Sequence, residues 1–457
     1  MSAIVPLKRN LGLGAVAALV VGNMLGSGVF FTPGELAAVA QHPWQVHFIW
    51  ALAGFITLCG ALTLAELCTL LPKPGASYHI IAEGFGPLWG FLLVWLELWV
   101  TGPGAIAASA VAFGEFLHRT IGVLPGVTPV GWGAVAILVF AGINLAGVQW
   151  GGRTQVILTL VKVAGVAGLV VGGLFIAAPA PVDQVGTSAA VASGDSALFE
   201  FIRFTGLGIA AVLFTYDGWI DVSNVAGEAR RPARDFPLGL GLGVAAITVL
   251  YIVVNVAYLR VVPLADMRAA PSAVASTVAV AAFGAHGGSL LTALMTLSIF
   301  GALGGLVMTQ PRLFYTLAAE YVEPSTGLLR RFFSLLGTVS PRTAAPAGAI
   351  VFTTVVSLAA LMFFGSFSRL VNFFVVPLQL AIILMVGAIF RLRPRLGVSS
   401  GYRTPGYPWT PIIYMVVMSG FFISATVFRP LDPLIGVALA ATGVPVYFRL
   451  RPRMTET

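Results

Sequence analysis

Charge is what this chain has least of. Among its 457 residues only 9% are charged, against 58% hydrophobic. A water-soluble fold of that size needs far more charge to cover its surface, so the composition excludes one. Cysteine is scarce as well. Cys59 and Cys68 are the two present, and both fall inside one apolar run, which excludes a disulfide framework. The five histidines, His42, His47, His79, His118 and His286, lie scattered without ligand spacing, so no metal site and no cofactor are expected. There is no His-Glu-x-x-His and no convincing pair of aspartates in neighbouring apolar runs, so the chain is not expected to be an enzyme. The strict alternation of apolar and polar residues that marks a membrane β-barrel is missing too.

What the chain does have is continuous apolar runs of about 20 residues or more, the length that carries a helix across a bilayer. A helix satisfies its own backbone hydrogen bonds in lipid, so the expected fold class is an all-α polytopic membrane protein of about twelve transmembrane helices. The first run extends past a signal-peptide core and lacks a cleavage site followed by a soluble domain, so it is read as a span. The eighth, residues 274–319, is too long for one straight crossing and is expected to tilt or to continue past the membrane. The net charge of +8 reads as a topology signal rather than a nucleic-acid patch. With the N-terminus placed inside, Arg119, Arg260, Arg268, Arg369 and Arg429 fall outside, Arg203 and Lys162 on neither side, and the other 18 of the 25 Lys and Arg inside. That asymmetry puts both termini in the cytoplasm. Glu66, near the inner end of the second run, is expected to pair with inner arginines; Glu97 and Glu115 in the third face a vestibule or, the safer reading, are structurally paired.

Two runs are interrupted in their middles. The first carries Gly22-Asn23-Met24-Leu25-Gly26-Ser27-Gly28-Val29-Phe30, although each mid-helix glycine costs about 1 kcal/mol relative to alanine. The sixth carries Phe214-Thr215-Tyr216-Asp217-Gly218-Trp219, which sets a carboxylate near mid-membrane at a cost of about 2.5–3.5 kcal/mol. The breaks stand at matching places in two five-span halves, the pattern of a transporter whose site lies between inverted repeats. Where the first run unwinds at Gly26, the backbone N–H groups of Ser27, Gly28 and Val29 lose helical partners and form a seat for a carboxylate, with Gly26 among the substrate-binding positions. Where the sixth unwinds, the carbonyls of Phe214, Thr215 and Tyr216 accept hydrogen bonds from an ammonium. An anion seat facing a cation seat matches the two charged groups of an amino acid. Phe214, Trp219 and Ile220 then remain to read its side chain. Neutral substrates fit best, because no second obvious charged side chain lines the site; Asp217 leaves a cationic substrate open.

These residues resemble a known family. Leu25-Gly26-Ser27-Gly28-Val29-Phe30, Ala65-Glu66-Leu67 before Leu71-Pro72-Lys73-Pro74-Gly75, Tyr216-Asp217-Gly218-Trp219 through Glu228, and Ser298-Ile299-Phe300-Gly301 before Arg312-Leu313-Phe314 follow in order over about ten helices. On them the chain resembles a bacterial member of the L-type amino acid transporter family, within the amino acid–polyamine–organocation superfamily. Asn23, Ile220 and Gln310-Pro311 depart from the family pattern. The resemblance implies an inverted repeat over residues 1–180, a second over 198–392, and two peripheral helices in 405–450, with helices one and six broken. It implies amino acid transport by alternating access across the plasma (inner) membrane, by sodium-independent exchange of neutral L-amino acids.

Lys162, inside the fifth run, has two readings. It snorkels to the cytoplasmic surface, or, as the resemblance implies, its ammonium replaces a sodium ion against carbonyls near Gly22 and Asn23 and the hydroxyl of Ser298. The second favours exchange; a proton- or sodium-coupled symporter and an amino acid receptor on a transporter fold are the alternatives. Animal relatives attach a glycoprotein through a cysteine between helices three and four. Residues 119–129 hold none, so no disulfide-linked ancillary subunit is expected.

Overall fold

In lipid a backbone group without a partner costs several kcal/mol, so an apolar chain of this kind resolves into helices that satisfy themselves. The structure, a computed structural model, describes residues 12–26, 28–72, 76–121, 127–146, 162–180, 197–322, 325–343, 345–397, 401–428 and 430–454, and these form helices joined by short connections.

The order begins with α1 (Leu13–Met24) and α2 (Gly28–Ala37), which meet at 50°. Next come α3 (Pro43–Leu70) and α4 (Ala76–Phe85). Helix α5 (Pro87–Leu96) runs through one π turn (Glu97–Thr101) into α6 (Gly102–Ile121). Then follow α7 (Pro129–Ala146), α8 (Lys162–Ile176) and α9 (Ala197–Tyr216). After a 3-10 segment (Asp221–Glu228) come α10 (Pro232–Val261), the short α11 (Leu264–Ala269) and the 48-residue α12 (Val274–Tyr321). The chain ends with α13 (Gly327–Leu336), α14 (Ala347–Phe364), α15 (Phe367–Gly387), α16 (Ile389–Leu396), α17 (Trp409–Phe428), α18 (Leu431–Ala441) and α19 (Gly443–Met454). Among the described residues nine helices are long and apolar enough to cross a membrane, or ten with the bent pair α1–α2 as one span. Shorter apolar helices, Lys162–Ile176 and Arg203–Leu213, stand where the fifth and sixth spans were expected.

The long eighth run is resolved by a break rather than by tilt alone. Gly284, within α12, has φ +68°, a backbone that a residue with a Cβ rarely adopts. The part from there to Tyr321 still rises about 55 Å at 1.5 Å per residue, beyond the roughly 30 Å apolar layer, so it runs past the membrane as expected.

Helix α10 packs against both α1 and α3 and so reaches the centre of the bundle. It comes close because Gly239 and Gly243 face Val16 and Val20, where an added Cβ would lie 2.7 and 2.6 Å from the valine side chains. Small residues do this in lipid, where burying apolar surface between helices brings little gain.

The charged residues near the two ends of the bundle are tied down. Arg268 donates to Ala37 O (3.2 Å) and Ala40 O (2.8 Å), capping α2, and Arg260 donates to Gly173 O (2.8 Å) and Ala177 O (2.7 Å), capping α8. Arg369 pairs with Asp432 at 3.0 Å. Three of the five arginines assigned to the outside thus hold helix ends or a carboxylate. At the other end Glu66, 1% exposed, pairs with Arg393 (3.2 Å) and accepts the Thr404 N–H (2.6 Å). The expected arginine partner is there, and it ties α3 to α16 and to the connection before α17. Burial, then the Glu66 carboxylate, push the phenol of Tyr402 in that connection up, so it stays protonated.

Candidate functional site

Both interruptions read from the sequence are breaks in the structure. At the end of α1 the Leu25 N–H still reaches Val21 O (2.9 Å), but the Gly26 N–H turns back on Met24 O (2.8 Å), and the helix resumes at Gly28. At the end of α9, Gly218 takes φ +102° and donates its N–H to Asp217 Oδ1 (2.9 Å). A left-handed residue stops an α-helix, and glycine adopts that backbone with least strain.

The breaks also meet. An added Cβ at Gly218 would lie 2.8 Å from Asn23 O, and the space a Cβ on Gly28 needs is taken by the Thr215 hydroxyl. That hydroxyl is 2.6 Å from the Thr32 hydroxyl on α2. The Tyr251 hydroxyl on α10 reaches Met24 O (2.5 Å) and Thr215 O (3.0 Å), and Tyr258 donates to Val29 O (3.4 Å). Gly28 and Val29 open α2, so their N–H groups have no intrahelical partner and sit at its positive dipole end. The carbonyls that end α9 lie across from them. The arrangement presents donors for an anion beside acceptors for a cation.

Not every residue singled out from the sequence faces this point. Tyr216 is 1% exposed and donates to Trp50 O (2.8 Å), so its phenol is turned toward α3. Trp219 is wedged against Gly60 on α3 and Tyr414 on α17, with ring centroids 6.3 Å apart. Ile220 is half-buried against the main core. Ser27 and the side chains of Phe214 and Glu228 lie outside the described residues. Lys162 is 5% exposed, and no hydrogen bond from it to Gly22, Asn23 or Ser298 is found among the described residues. The helix register nonetheless sets it near Ser298. Gly168 faces Leu291 and Gly165 faces Met295, so one further turn of α8 brings Lys162 to the level of Ser298, itself 1% exposed.

No ion pair holds Glu97 among the described residues, so the pairing expected of it is not found there; the carboxylates of Asp221 and Asp217 are near enough to act on it by charge repulsion. Asp221, Thr32, Tyr251 and Tyr258 were not singled out from the sequence. For the tyrosines the signal was a phenol in mid-span, which needs a partner in lipid. Toward the Arg268 end the site is covered, since Phe31 on α2 and Phe367 on α15 pack with centroids 4.4 Å apart. Toward the other end Asp221 is exposed.

Comparison with known proteins gives the family. Residues 11–448 match the family described as Amino acid permease. A serine/threonine exchanger of Bacillus subtilis is 31% identical over 98% of this chain and 98% of its own length. The human large neutral amino acids transporter small subunit 2 is 27% identical, covering 97% of this chain and 81% of its own. The human cystine/glutamate transporter is 27% identical, covering 97% and 85%.

Proposed function

The chain belongs to the amino acid permease family of membrane transporters, and we propose that it exchanges neutral L-amino acids across the plasma membrane without sodium. One observation carries the reading: the broken ends of α1 and α9 meet at Gly28, Thr215, Asn23 and Gly218. The amino acid's carboxylate sits on the N–H groups of Ser27, Gly28 and Val29, beside Gly26, and its ammonium on the carbonyls of Phe214, Thr215 and Tyr216. Alternating access rocks residues 1–180 against 198–392 as inverted repeats, with 405–450 at the periphery and both termini in the cytoplasm. Lys162 serves as a resident cation in place of sodium. Its burial supports this, because an ammonium in the apolar layer is costly and Ser298 stands at its level. The chain has no cysteine at residues 119–129 for a disulfide-linked partner.

Hydroxylated substrates are favoured among neutral ones. The Thr32–Thr215 pair sets two hydroxyls at the seat, and the Bacillus relative is named for serine and threonine. In proteoliposomes, unlabelled serine and threonine are expected to compete with labelled serine at least about tenfold better than valine or arginine, the effect of about one hydrogen bond. Equal competition by valine would remove the hydroxyl preference, and no uptake of any amino acid would remove the transport reading. The carboxylates of Glu97, Asp217 and Asp221 favour one second reading, proton-coupled symport, which uptake into empty vesicles under an imposed pH gradient would reveal.

A further inference from the structure

The connection between α12 and α14 carries a short helix, α13, whose apolar residues point two ways. On one side Phe333 and Leu336 are buried in a cluster with Phe91, Leu98 and Phe314. Phe332 stacks on Trp99 with centroids 6.1 Å apart and stands edge-on to Phe352 at 5.7 Å, so the roll of the helix is fixed. On another side Leu328 is 81% exposed and Leu335 59%. They stand seven residues apart, hence on one face, and that face cannot turn inward without undoing the aromatic stack.

The depth of α13 follows from α14. The 18 residues of α14 rise about 27 Å at 1.5 Å per residue, close to the roughly 30 Å apolar layer. Ala347, the first of them, therefore stands at the edge of that layer. The end of α13 is fastened there: the Gly348 N–H donates to Thr338 O (3.1 Å) and the Ser340 N–H to Ala345 O (2.8 Å). The exposed leucines thus lie at the boundary between headgroups and acyl chains. Charge around them is of one sign. Residues 324–346 hold Arg330, Arg331 and Arg342 and no Asp or Glu, and all three arginines are exposed. At 3.6 residues per turn Arg331 borders the leucine face and Arg330 lies on the far side.

We infer that α13 is an interfacial helix that binds anionic phospholipid of the adjoining leaflet, with Leu328 and Leu335 in the acyl region and Arg330 and Arg331 on headgroup phosphates. A basic helix with an apolar face lies in the interface in this way, and arginine stems are long enough to reach phosphates from its flanks. A second copy of the chain fits the face less well, because two such helices side by side bring their arginines together.

The test places a polarity-sensitive fluorophore at Leu328→Cys in the full chain, reconstituted in phosphatidylcholine vesicles containing phosphatidylglycerol. Cys59 and Cys68 are buried, so the new thiol is the accessible one. Apolar emission is expected there, and water-like emission from a label at Ser334→Cys, which is exposed on the polar side. Brominated phosphatidylglycerol is expected to quench the Leu328→Cys label with about a thirtyfold preference over brominated phosphatidylcholine at low salt, the effect of two basic side chains at an anionic surface. Adding Arg330→Gln and Arg331→Gln is expected to bring that preference close to one while leaving the packed side of the helix intact. Water-like emission at Leu328→Cys, equal quenching by the two lipids, or a preference that survives both glutamines overturns the inference. Energy transfer between labels on two chains, in place of lipid quenching, puts a second copy on the face and overturns it as well.

Discussion

Replacing Lys162 by methionine is expected to lower exchange up to about a hundredfold in protein that still folds and inserts, in line with the roughly 1.5–3 kcal/mol that hydrogen bonding by a charged group carries. Methionine matches the length and flexibility of lysine and suits an apolar interior, so packing of α8 against Leu291 and Met295 of α12 is retained. What disappears is the Lys162 ammonium, buried at the level of Ser298. The competing reading, a lysine that snorkels to the cytoplasmic surface, makes the opposite forecast. A snorkelling lysine is replaced by arginine or methionine with little effect on turnover, because its charge only seeks water. Initial exchange rates per folded transporter, for Lys162→Met and Lys162→Arg side by side, decide between the two.

Alanine at Gly218 is expected to abolish measurable exchange. Its φ of +102° strains any residue with a Cβ, and that Cβ would stand 2.8 Å from the Asn23 carbonyl oxygen. Backbone rather than a flexible side chain is in the way, so the two breaks must move apart. A shift of about 1 Å in a positioned site is enough for about a hundredfold loss of rate. Gly28→Ala meets the Thr215 side chain and is expected to act in the same direction. Gly142→Ala on α7 has nothing within 4 Å of the new Cβ and is expected to exchange at the wild-type rate. Rates equal in all three variants would mean that the contact between the breaks is not where transport is limited.

Much of the fold was legible because lipid leaves few choices. Apolar length gave the helices, and glycine or aspartate in mid-run marked both breaks. A carboxylate in a span announced that Glu66 needed a partner, although no local signal could pick Arg393, which lies far along the chain. Rotation of the helices was less legible. Trp219 follows the break directly in sequence, yet its ring turns to α3 and α17, because next-door residues on a turn point to different sides. Tyr251 and Tyr258 were passed over because a tyrosine in an apolar run reads as an ordinary membrane aromatic until its hydroxyl's acceptor is seen. Glu97 was expected to be paired and lies instead among carboxylates, since the fold, not the local sequence, brings Asp217 and Asp221 to it.

The most direct measurement is labelled serine uptake into proteoliposomes, either empty or loaded with unlabelled serine, with choline in place of sodium. Uptake that needs internal serine and is indifferent to sodium is the expected result, with the two broken helices as the seat and Lys162 as the resident cation. Uptake into empty vesicles that follows a sodium or proton gradient would contradict it.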